Sequence, residues 1–302
     1  LTLLVAVGGE ELRRSYSLCT APGGGAHAVT IKRVPGGRVS NHLNDHAAAG
    51  MRLHSLPPAG RFTFEPTAAP DHLVLIGGGS GLTPLLSMLR TAVRDTPGTR
   101  VTLLLGNRDA ASILFRDALD RLADEVPRVT VRHVLEQPPV GWDGGVGRLD
   151  RETLAGLLDE VPDEDGVRYG LCGPGPMMEG AKRLLLDRGV ARERITEERF
   201  TPAARPPVAV TGTPQPVVYR IGGVDRQVVV QPGQTFLDAA LEHDVPMAWS
   251  CGGGGCGSCL MKLEFGDVDQ PAADALLDRE RDEGWFLGCC ARPTAPCVVH
   301  QR

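Results

Sequence analysis

Four cysteines in the C-terminal part of the chain have the spacing of iron–sulfur ligands. Cys251, Cys256 and Cys259 form a C-x4-C-x2-C segment, and Cys289 follows after 29 intervening residues. This spacing is typical of plant-type [2Fe-2S] sites. The intervening glycines suit a loop around an anionic cluster, because glycine adopts positive φ freely and its backbone amides can face sulfur. The sequence therefore predicts a [2Fe-2S] cluster held by these four residues.

A structural zinc site is the alternative for the same thiols. Zinc ribbons and fingers usually present two close Cys or Cys/His pairs, whereas this segment has one C-x2-C. By spacing alone, Cys290 competes with Cys289 for the fourth position. Three cysteines within nine residues, with no recognisable secretion signal, indicate metal ligation in a reducing compartment, and we expect a cytoplasmic protein.

Two glycine-rich turns carry the second candidate chemistry. The first runs from Gly77 to Pro84 as GGGSGLTP, and the second is Cys172-Gly173-Pro174. Such a turn between a strand and a helix directs backbone amides and the helix dipole toward a pyrophosphate. The first turn departs from G-x-G-x-x-G, so tight packing remains an alternative for it. Two such turns at strand ends predict a nucleotide crevice.

Two arginines bear on which nucleotide is bound. Arg108 follows the next predicted strand, and Arg116 lies eight residues further on. Arginine suits the 2′-phosphate of NADPH, whereas an acidic residue suits the ribose of NADH, and Asp109 lies beside Arg108. We expect NAD(P)H with NADPH slightly favoured; a solvated face is the alternative for both arginines.

The elements that must position these residues follow from the apolar pattern. Residues 71–200 alternate between strand and helix signals, which predicts a parallel sheet with helices on its faces. Predicted strands are 72–76, 101–105, 129–134 and 169–172. Helix starts are predicted at Thr83 (N-cap, with Pro84 first in the helix), Ser112, Asp150 and Pro176, and Leu85, Leu89 and Ala92 fall on one helix face.

A β-rich segment precedes this region and a small domain follows it. Short strand-like runs occupy 1–7, 29–34 and 51–56, and a helix is predicted to start at Ser40. Four prolines without helical period predict a linker at 201–215. A strand pair at 217–221 and 227–230 is followed by a capping box at Thr235 and Asp238. The predicted boundaries are 1–68, 69–200, 201–215 and 216–302.

Charge and hydropathy exclude other classes. The net charge is −5, and residues 212–302 alone carry 7 Lys and Arg against 12 Asp and Glu. Nucleic-acid binding needs a basic face, so no nucleic-acid partner is expected. No apolar run approaches the length of a membrane span, so no membrane partner is expected either. The acidic excess is a solvated surface or a docking face for a basic protein.

Together these motifs resemble the ferredoxin–NADP reductase superfamily, in the branch with a C-terminal plant-type ferredoxin domain. Arg14-Ser15-Tyr16-Ser17 matches its flavin motif R-x-Y-S, and residues 37–40 match its G-x-x-S. The resemblance implies a multidomain fold: an antiparallel β-barrel for flavin, an α/β parallel-sheet nucleotide domain and an α+β β-grasp ferredoxin domain. Relative to the family, we expect the barrel to lack its first strands.

The resemblance also implies roles for individual residues. Arg14 contacts FAD phosphate, Tyr16 stacks on the flavin, and Ser17 reaches its reactive N5 edge. The implied FAD pyrophosphate contacts are Gly37, Val39 and Ser40, and the implied nucleotide contacts are Gly79, Gly81, Thr83, Arg108, Arg116, Cys172, Gly173 and Pro174. Cys172 lies near the hydride-transfer carbon, so Tyr16, Ser17 and Cys172 form the catalytic set. Phe200, in an E-x-F motif, lies near the flavin face or is simple core.

In relatives the fourth cluster cysteine ends a Leu-x-Cys segment, which Leu287-Gly288-Cys289 matches, so Cys289 is chosen as the fourth ligand.

The resemblance implies an NAD(P)H-dependent reductase. Flavin accepts the two electrons of a hydride and passes them singly to a cluster near roughly −400 mV. The expected partner is a separate terminal oxygenase or hydroxylase. A stand-alone reductase for a cytochrome, desaturase or free ferredoxin is the first alternative, and a zinc-bound or redox-sensing binding protein is the second.

Overall fold

The computed structural model describes residues 1–162, 165–200, 212–270 and 275–301. The chain forms two compact units. The first contains Leu1–Ser15, Val34–Arg61 and the described residues from 212 onward, and the second contains Tyr16–Arg33 and Phe62–Phe200. Most of the predicted linker, at 201–211, lies outside the described residues. No helix in the described ranges has the length and hydropathy needed to cross a bilayer.

The N-terminal part of the first unit is a small antiparallel sheet with strand order β2-β1-β3. Its elements are β1 (Thr2–Val7), β2 (Glu10–Ser15), α1 (Arg38–His46) and β3 (His54–Ser55). The predicted strand at 1–7 is confirmed, and the one at 51–56 is reduced to β3. The helix predicted from Ser40 begins two residues earlier. The sequence did not predict β2, because Leu12 is its only apolar residue and charged residues dominate it.

The second unit is built on a six-stranded parallel sheet with order β7-β6-β5-β4-β8-β9. In chain order its elements are β4 (His72–Gly78), α2 (Leu82–Asp95), β5 (Arg100–Asp109), α3 (Arg116–Glu125), β6 (Val129–Gln137), β7 (Gly145–Val146), α4 (Arg151–Leu158), β8 (Val167–Cys172), α5 (Gly175–Asp187) and β9 (Ile195–Glu198). The predicted parallel sheet is therefore confirmed. The run predicted as a strand at 29–34 forms only an isolated bridge, between Leu18 and Val29.

The central strand β4 explains the continuous apolar run in the sequence. Val74 and Ile76 face a core shared with α4 and α5, whereas Leu73 and Leu75 face a core shared with α2 and α3. A strand covered on both faces is apolar at nearly every position, unlike one with a solvated face. The sheet consequently holds the ends of β4 and β8 on a rigid base.

Two predicted helix starts in this unit are wrong. The helix α2 begins at Leu82 with Gly81 as N-cap, because a 3₁₀ turn at Gly79–Gly81 leads directly into it. Ser112 does not cap an α-helix; it pairs reciprocally with Asp109 around a second 3₁₀ turn, at Ala110–Ser112. The predicted cap at Asp150 and the start near Pro176 are confirmed. The three residues predicted on one face of α2 are all buried.

The C-terminal part of the first unit is a mixed five-stranded sheet with order β11-β10-β16-β12-β14, beside a two-stranded pair of β13 and β15. Its elements are β10 (Gln215–Ile221), β11 (Val224–Val230), α6 (Phe236–Glu242), β12 (Leu260–Phe265), β13 (Val268–Asp269), α7 (Asp278–Asp282), β14 (Trp285–Leu287), β15 (Arg292–Pro293) and β16 (Cys297–His300). The predicted capping box of Thr235 and Asp238 starts α6. The cysteine loop leaves this scaffold between α6 and β12.

Candidate cofactor sites

The C-terminal sheet brings two of the predicted cluster ligands together. Cys259 directly precedes β12, and Cys289 follows β14 by two residues. These strands pair antiparallel with Leu260 opposite Leu287, and the Gly288 amide donates to the Cys259 carbonyl at 2.9 Å. The Cys259 and Cys289 thiols contact each other, which raises the pKa of Cys289 to about 12. Sheet register alone therefore forms one thiol pair.

The glycine loop forms the second thiol pair. Cys251 and Cys256 interact through their sulfurs, which raises the pKa of Cys251 and lowers that of Cys256, because a proton held by one thiol stabilises the other as thiolate. The Gly254 amide donates to Cys289 Sγ at 3.1 Å, and the Gly253 amide donates to Cys251 Sγ at 3.4 Å. Amides aimed at sulfur stabilise the negative charge of a thiolate-bound cluster.

The donor set fits a dinuclear cluster better than a single ion. Within the described ranges, no three His, Cys, Asp or Glu side chains converge on a point that would hold one metal ion. Two separate thiol pairs are instead what two irons require, each taking two thiolates. Cys290 is buried with its Sγ 3.6 Å from that of Cys289. The Cys259 contact favours Cys289 as the fourth ligand.

The two glycine-rich turns lie against each other at the carboxyl ends of β4 and β8, where Gly77 is paired with Cys172. A Cβ at Gly81 would lie 2.0 Å from the Cys172 carbonyl oxygen, and one at Gly173 would lie 2.9 Å from the Gly78 nitrogen. The alternative explanation for these glycines, close backbone packing that leaves no room for a side chain, therefore applies to both turns. It also brings the two turns to one edge of the sheet, where a dinucleotide binds in parallel α/β folds.

Other predicted residues of these turns have defined places. Gly79 has φ +53°, a conformation that glycine adopts without strain. Thr83 is buried and its hydroxyl donates to the Ser80 carbonyl at 3.0 Å, so this group stabilises the turn itself. Pro174 precedes α5 as its N-cap residue and would contact a Cβ placed at Gly78.

Ser17, Cys172 and Glu198 form one polar cluster in the second unit. Cys172 and Glu198 are register partners at the ends of β8 and β9, and the Ser17 hydroxyl donates to Glu198 Oε2 at 2.7 Å. Burial and the Glu198 carboxylate both raise the pKa of Cys172, so its thiol is neutral at physiological pH. Glu198 was not among the predicted site residues, although its E-x-F motif at a strand end was the available signal.

A neighbouring ion network fixes the strand that carries Glu198. The Glu197 carboxylate, 5% exposed, lies near Lys182 at 2.6 Å, Arg199 at 3.3 Å and Arg192 at 3.4 Å. Burial opposes its ionisation, but these cations outweigh that effect and lower the pKa of Glu197. Phe200, at the end of this segment, is 46% exposed, so it is not a core side chain.

The two predicted nucleotide-selecting arginines are at the surface. Arg108 is 71% exposed and its Nε lies 2.9 Å from Asp109, whose own carboxylate accepts from the Ser112 amide. Arg116 begins α3; its guanidinium lies 5.8 Å from the Trp142 ring centroid and 3.7 Å from Asp120. Both guanidiniums are therefore accessible to solvent, and the aromatic face of Trp142 restricts where Arg116 points.

The predicted flavin residues are distributed over both units. Arg14 lies exposed on β2 in the first unit, and Tyr16 is half-buried in the second. Val39 and Ser40 of α1, and its N-cap Gly37, lie in the first unit. A Cβ at Gly37 would lie 2.5 Å from the Ser40 hydroxyl, which accepts from the Val34 amide, so this turn needs glycine.

The start of α1 fits a phosphate. Its N-cap, Gly37, makes no side-chain capping bond, and the first turn has no acidic residue. The first-turn amides of a helix have no partner within the helix and favour an anion. Val39 is 1% exposed, so its backbone rather than its side chain could meet such a ligand.

Two family models match the chain at these sites. An oxidoreductase NAD-binding domain matches residues 75–183, and a 2Fe-2S iron–sulfur cluster binding domain matches residues 219–294. The first range contains both glycine-rich turns, and the second contains all four predicted ligands.

Curated relatives match almost the whole chain. A component protein of the 1,2-phenylacetyl-CoA epoxidase of Escherichia coli is 35% identical, over 99% of this chain and 86% of that protein. The ferredoxin reductase component of 3-ketosteroid-9-alpha-monooxygenase from Mycobacterium tuberculosis is 35% identical, over 95% of this chain and 79% of that protein. Among solved structures, phthalate dioxygenase reductase has a TM-score of 0.59 and 23% identity, over 99% of this chain and 87% of that one.

The chain therefore belongs to the ferredoxin–NADP reductase superfamily, in the branch with a C-terminal plant-type [2Fe-2S] domain. It is an NAD(P)H-dependent iron–sulfur flavoprotein oxidoreductase, with FAD and a [2Fe-2S] cluster as its cofactors.

Proposed function

We propose that this reductase supplies electrons to a separate terminal oxygenase or hydroxylase. The two thiol pairs in the glycine loop and at the β12–β14 pair carry the proposal. When bound, the flavin would accept two electrons from NAD(P)H and release them one at a time to the cluster. The names of the two curated relatives, both components of oxygenase systems, support an acceptor of the same class here.

The chain's own residues would position these groups. Cys251, Cys256, Cys259 and Cys289 would hold the cluster. The FAD contacts would be Arg14, Tyr16, Ser17, Gly37, Val39, Ser40 and Phe200, and the nucleotide contacts would be Gly79, Gly81, Thr83, Arg108, Arg116, Cys172, Gly173 and Pro174. Ser17 and Cys172 present a hydroxyl and a neutral thiol, held by Glu198 and by burial, so neither changes charge during turnover near pH 7.

The finer architecture belongs to the same proposal. The strands β1 to β3 would be part of an antiparallel flavin barrel within residues 1–68, and residues 69–200 would be the nucleotide domain. Residues 216–302 would be a β-grasp domain, which the mixed sheet and α6 support. The acidic excess of the C-terminal segment suits a basic acceptor surface, and reduced thiols suit the cytoplasm.

Anaerobic titration of the purified protein with NADH and NADPH tests the electron path. Flavin and cluster absorption should both bleach, at lower concentrations of NADPH than of NADH. Replacement of Arg116 by Ala should raise the KM for NADPH about tenfold without changing that for NADH, as expected when an exposed charge contact to phosphate is lost. A colourless, zinc-containing protein would refute the proposal.

Turnover with candidate oxygenases across salt concentrations tests the acceptor. A basic oxygenase docking on an acidic surface should be reduced more slowly as salt rises. A salt-independent rate would refute electrostatic docking. Reduction of a cytochrome or free ferredoxin, with no oxygenase accepting electrons, would support the stand-alone reductase instead.

A further inference from the structure

Three hydroxyl groups join the cluster loop to the sheet that carries the flavin motif, all within the first unit. Ser250 directly precedes the cluster ligand Cys251. Its hydroxyl lies 3.0 Å from that of Ser15 and is hydrogen-bonded to that of Thr2, and the Thr2 and Ser15 hydroxyls are 2.9 Å apart. Thr2 is 2% exposed and Ser250 is 9% exposed. Ser15 is exposed, but the buried hydroxyls of Thr2 and Ser250 would be costly without partners, so their mutual hydrogen bond favours one arrangement of loop and strand.

Strand geometry explains why these groups meet. Thr2 and Ser15 are register partners across β1 and β2. Side chains alternate along a strand, so Arg13 and Ser15 share one face of β2 and Arg14 lies on the other. The Arg13 guanidinium lies 4.7 Å from the ring centroid of Trp249, the residue before Ser250. One face of β2 therefore contacts the cluster loop, and the opposite face carries the arginine of the R-x-Y-S motif.

An ion pair makes a second connection between these parts. Arg61 Nη1 lies 2.7 and 2.6 Å from the two carboxylate oxygens of Glu280, whose side chain is 15% exposed. Arg61 also lies beside the loop, because a Cβ at Gly257 would be 3.1 Å from its Nε. Gly257 lies between the ligands Cys256 and Cys259. The loop is therefore held on both sides of the C-x4-C segment.

We propose that Thr2, Ser15 and Ser250, with the Arg13–Trp249 and Arg61–Glu280 contacts, are positioning residues that hold the cluster loop at a fixed place against the flavin-motif strand. This inference rests on the proposed electron path. If only a linker joined the cluster loop to the flavin-motif strand, the two would have to meet by diffusion before each electron transfer, at a rate set by their effective concentration. A built contact removes that search, as preorganisation does in binding.

Backbone hydrogen exchange in the purified reductase tests the contact without any activity. Replacement of Ser250 by Ala, or of Arg61 by Glu, should speed exchange in the peptides that cover β2 and the cysteine loop by about five- to tenfold, the effect of losing one buried hydrogen bond or ion pair. Combining Arg61→Glu with Glu280→Arg should restore protection. The matched control is Arg220→Glu, whose partner Glu264 lies within the C-terminal sheet; it should leave both peptides unchanged.

Stopped-flow absorption then separates reduction of the flavin by NAD(P)H from electron transfer to the cluster. In Ser250→Ala and Arg61→Glu, bleaching of the flavin by NAD(P)H should keep its rate, while bleaching of the cluster slows several-fold. Unchanged exchange and unchanged cluster bleaching in both variants would overturn the inference. Failure of NAD(P)H to bleach the flavin in the unmodified protein would instead refute the proposed function, and hydrogen exchange would still decide whether the contact exists.

Discussion

The hydroxyl of Ser17 donates a hydrogen bond to the carboxylate of Glu198, 181 residues away along the chain. Glu198 is also the register partner of Cys172 on the neighbouring strand. One carboxylate therefore orients a hydroxyl in the flavin motif and raises the pKa of a buried thiol in the nucleotide turn, as burial also does. Near neutral pH the Ser17 hydroxyl is therefore held as a donor to Glu198, and the Cys172 thiol stays protonated.

Replacing Glu198 by Gln should slow flavin bleaching by NAD(P)H about tenfold, because a charge-assisted hydrogen bond becomes a neutral one. Flavin content should be unchanged. Stopped-flow absorption measures the rate. The control is Glu136→Gln, an exposed carboxylate that pairs with Arg148 on the same sheet. Equal rates in the two variants would show that Glu198 has no positioning role.

Replacing Gly81 by Ala should abolish tight nucleotide binding. Its new methyl group would lie 2.0 Å from the Cys172 carbonyl oxygen, so the two glycine-rich turns must separate. Gly180→Ala in α5 is the control, because a Cβ there meets nothing within 4 Å. That control should bind normally and gain up to about 1 kcal/mol in helix stability. Calorimetric titration with NADP⁺ and NAD⁺ measures the binding, and thermal unfolding measures the stability. Normal nucleotide binding by Gly81→Ala would contradict the packing argument.

Replacing Cys289 by Ser should abolish the cluster, whereas Cys290→Ser should retain it. The reason is that the Cys289 thiol contacts that of Cys259 and its sulfur accepts a hydrogen bond from the Gly254 amide. Iron content and visible absorption measure the outcome, with circular dichroism as a check on folding. Cys297→Ser, at a buried thiol that donates to the Asp267 carbonyl, controls for the loss of any buried cysteine. Loss of iron in Cys290→Ser alone would reverse the assignment.

The Glu197 network predicts a specific pH dependence. Because the pKa of Glu197 is lowered in the folded protein, its contribution to stability is complete above the unfolded value of about 4.3 and is lost as pH falls through the folded pKa. Replacing Lys182 by Met should lower the midpoint temperature at neutral pH, at a cost of about 1–2 kcal/mol, and the difference should shrink in acid.

Thermal unfolding across pH measures this effect. Arg151→Met, in an exposed pair with Asp187, is the matched control and should change little. A Lys182→Met deficit of the same size at acidic and neutral pH would show that lost packing, not charge, causes it.

Local patterns predicted much of the architecture. Runs rich in apolar residues predicted β4, β5, β6 and β8, because a strand covered on both faces carries few polar positions. The same rule missed β2, which contains Arg14 of the R-x-Y-S motif, because most of its side chains are charged. Predicted capping succeeded at Thr235 and failed at Thr83, because a 3₁₀ turn of three residues moved the start of α2.

The site was less predictable than the strands that hold it. The cysteine spacing predicted four ligands, yet only the β12–β14 register showed that Cys259 lies with Cys289. The contact of Ser17 with Glu198 and that of Thr2 with Ser250 join residues far apart in sequence. Periodicity carries no information about such pairs, since they depend on how whole elements pack.

The two thiol pairs also differ in their access to water. Cys259 and Cys289 are each 2% exposed, whereas Cys251 is exposed and Cys256 is half-buried. Dissolved oxidants and chelators should therefore attack the Cys251 side first, leaving the inner pair as the last to be lost. Mass spectrometry of alkylated cysteines during gradual iron loss would show that order. Under the proposed function, an acceptor would approach the cluster from this exposed side, so the thiol pair that is most accessible to a partner would also be the pair most accessible to oxidants.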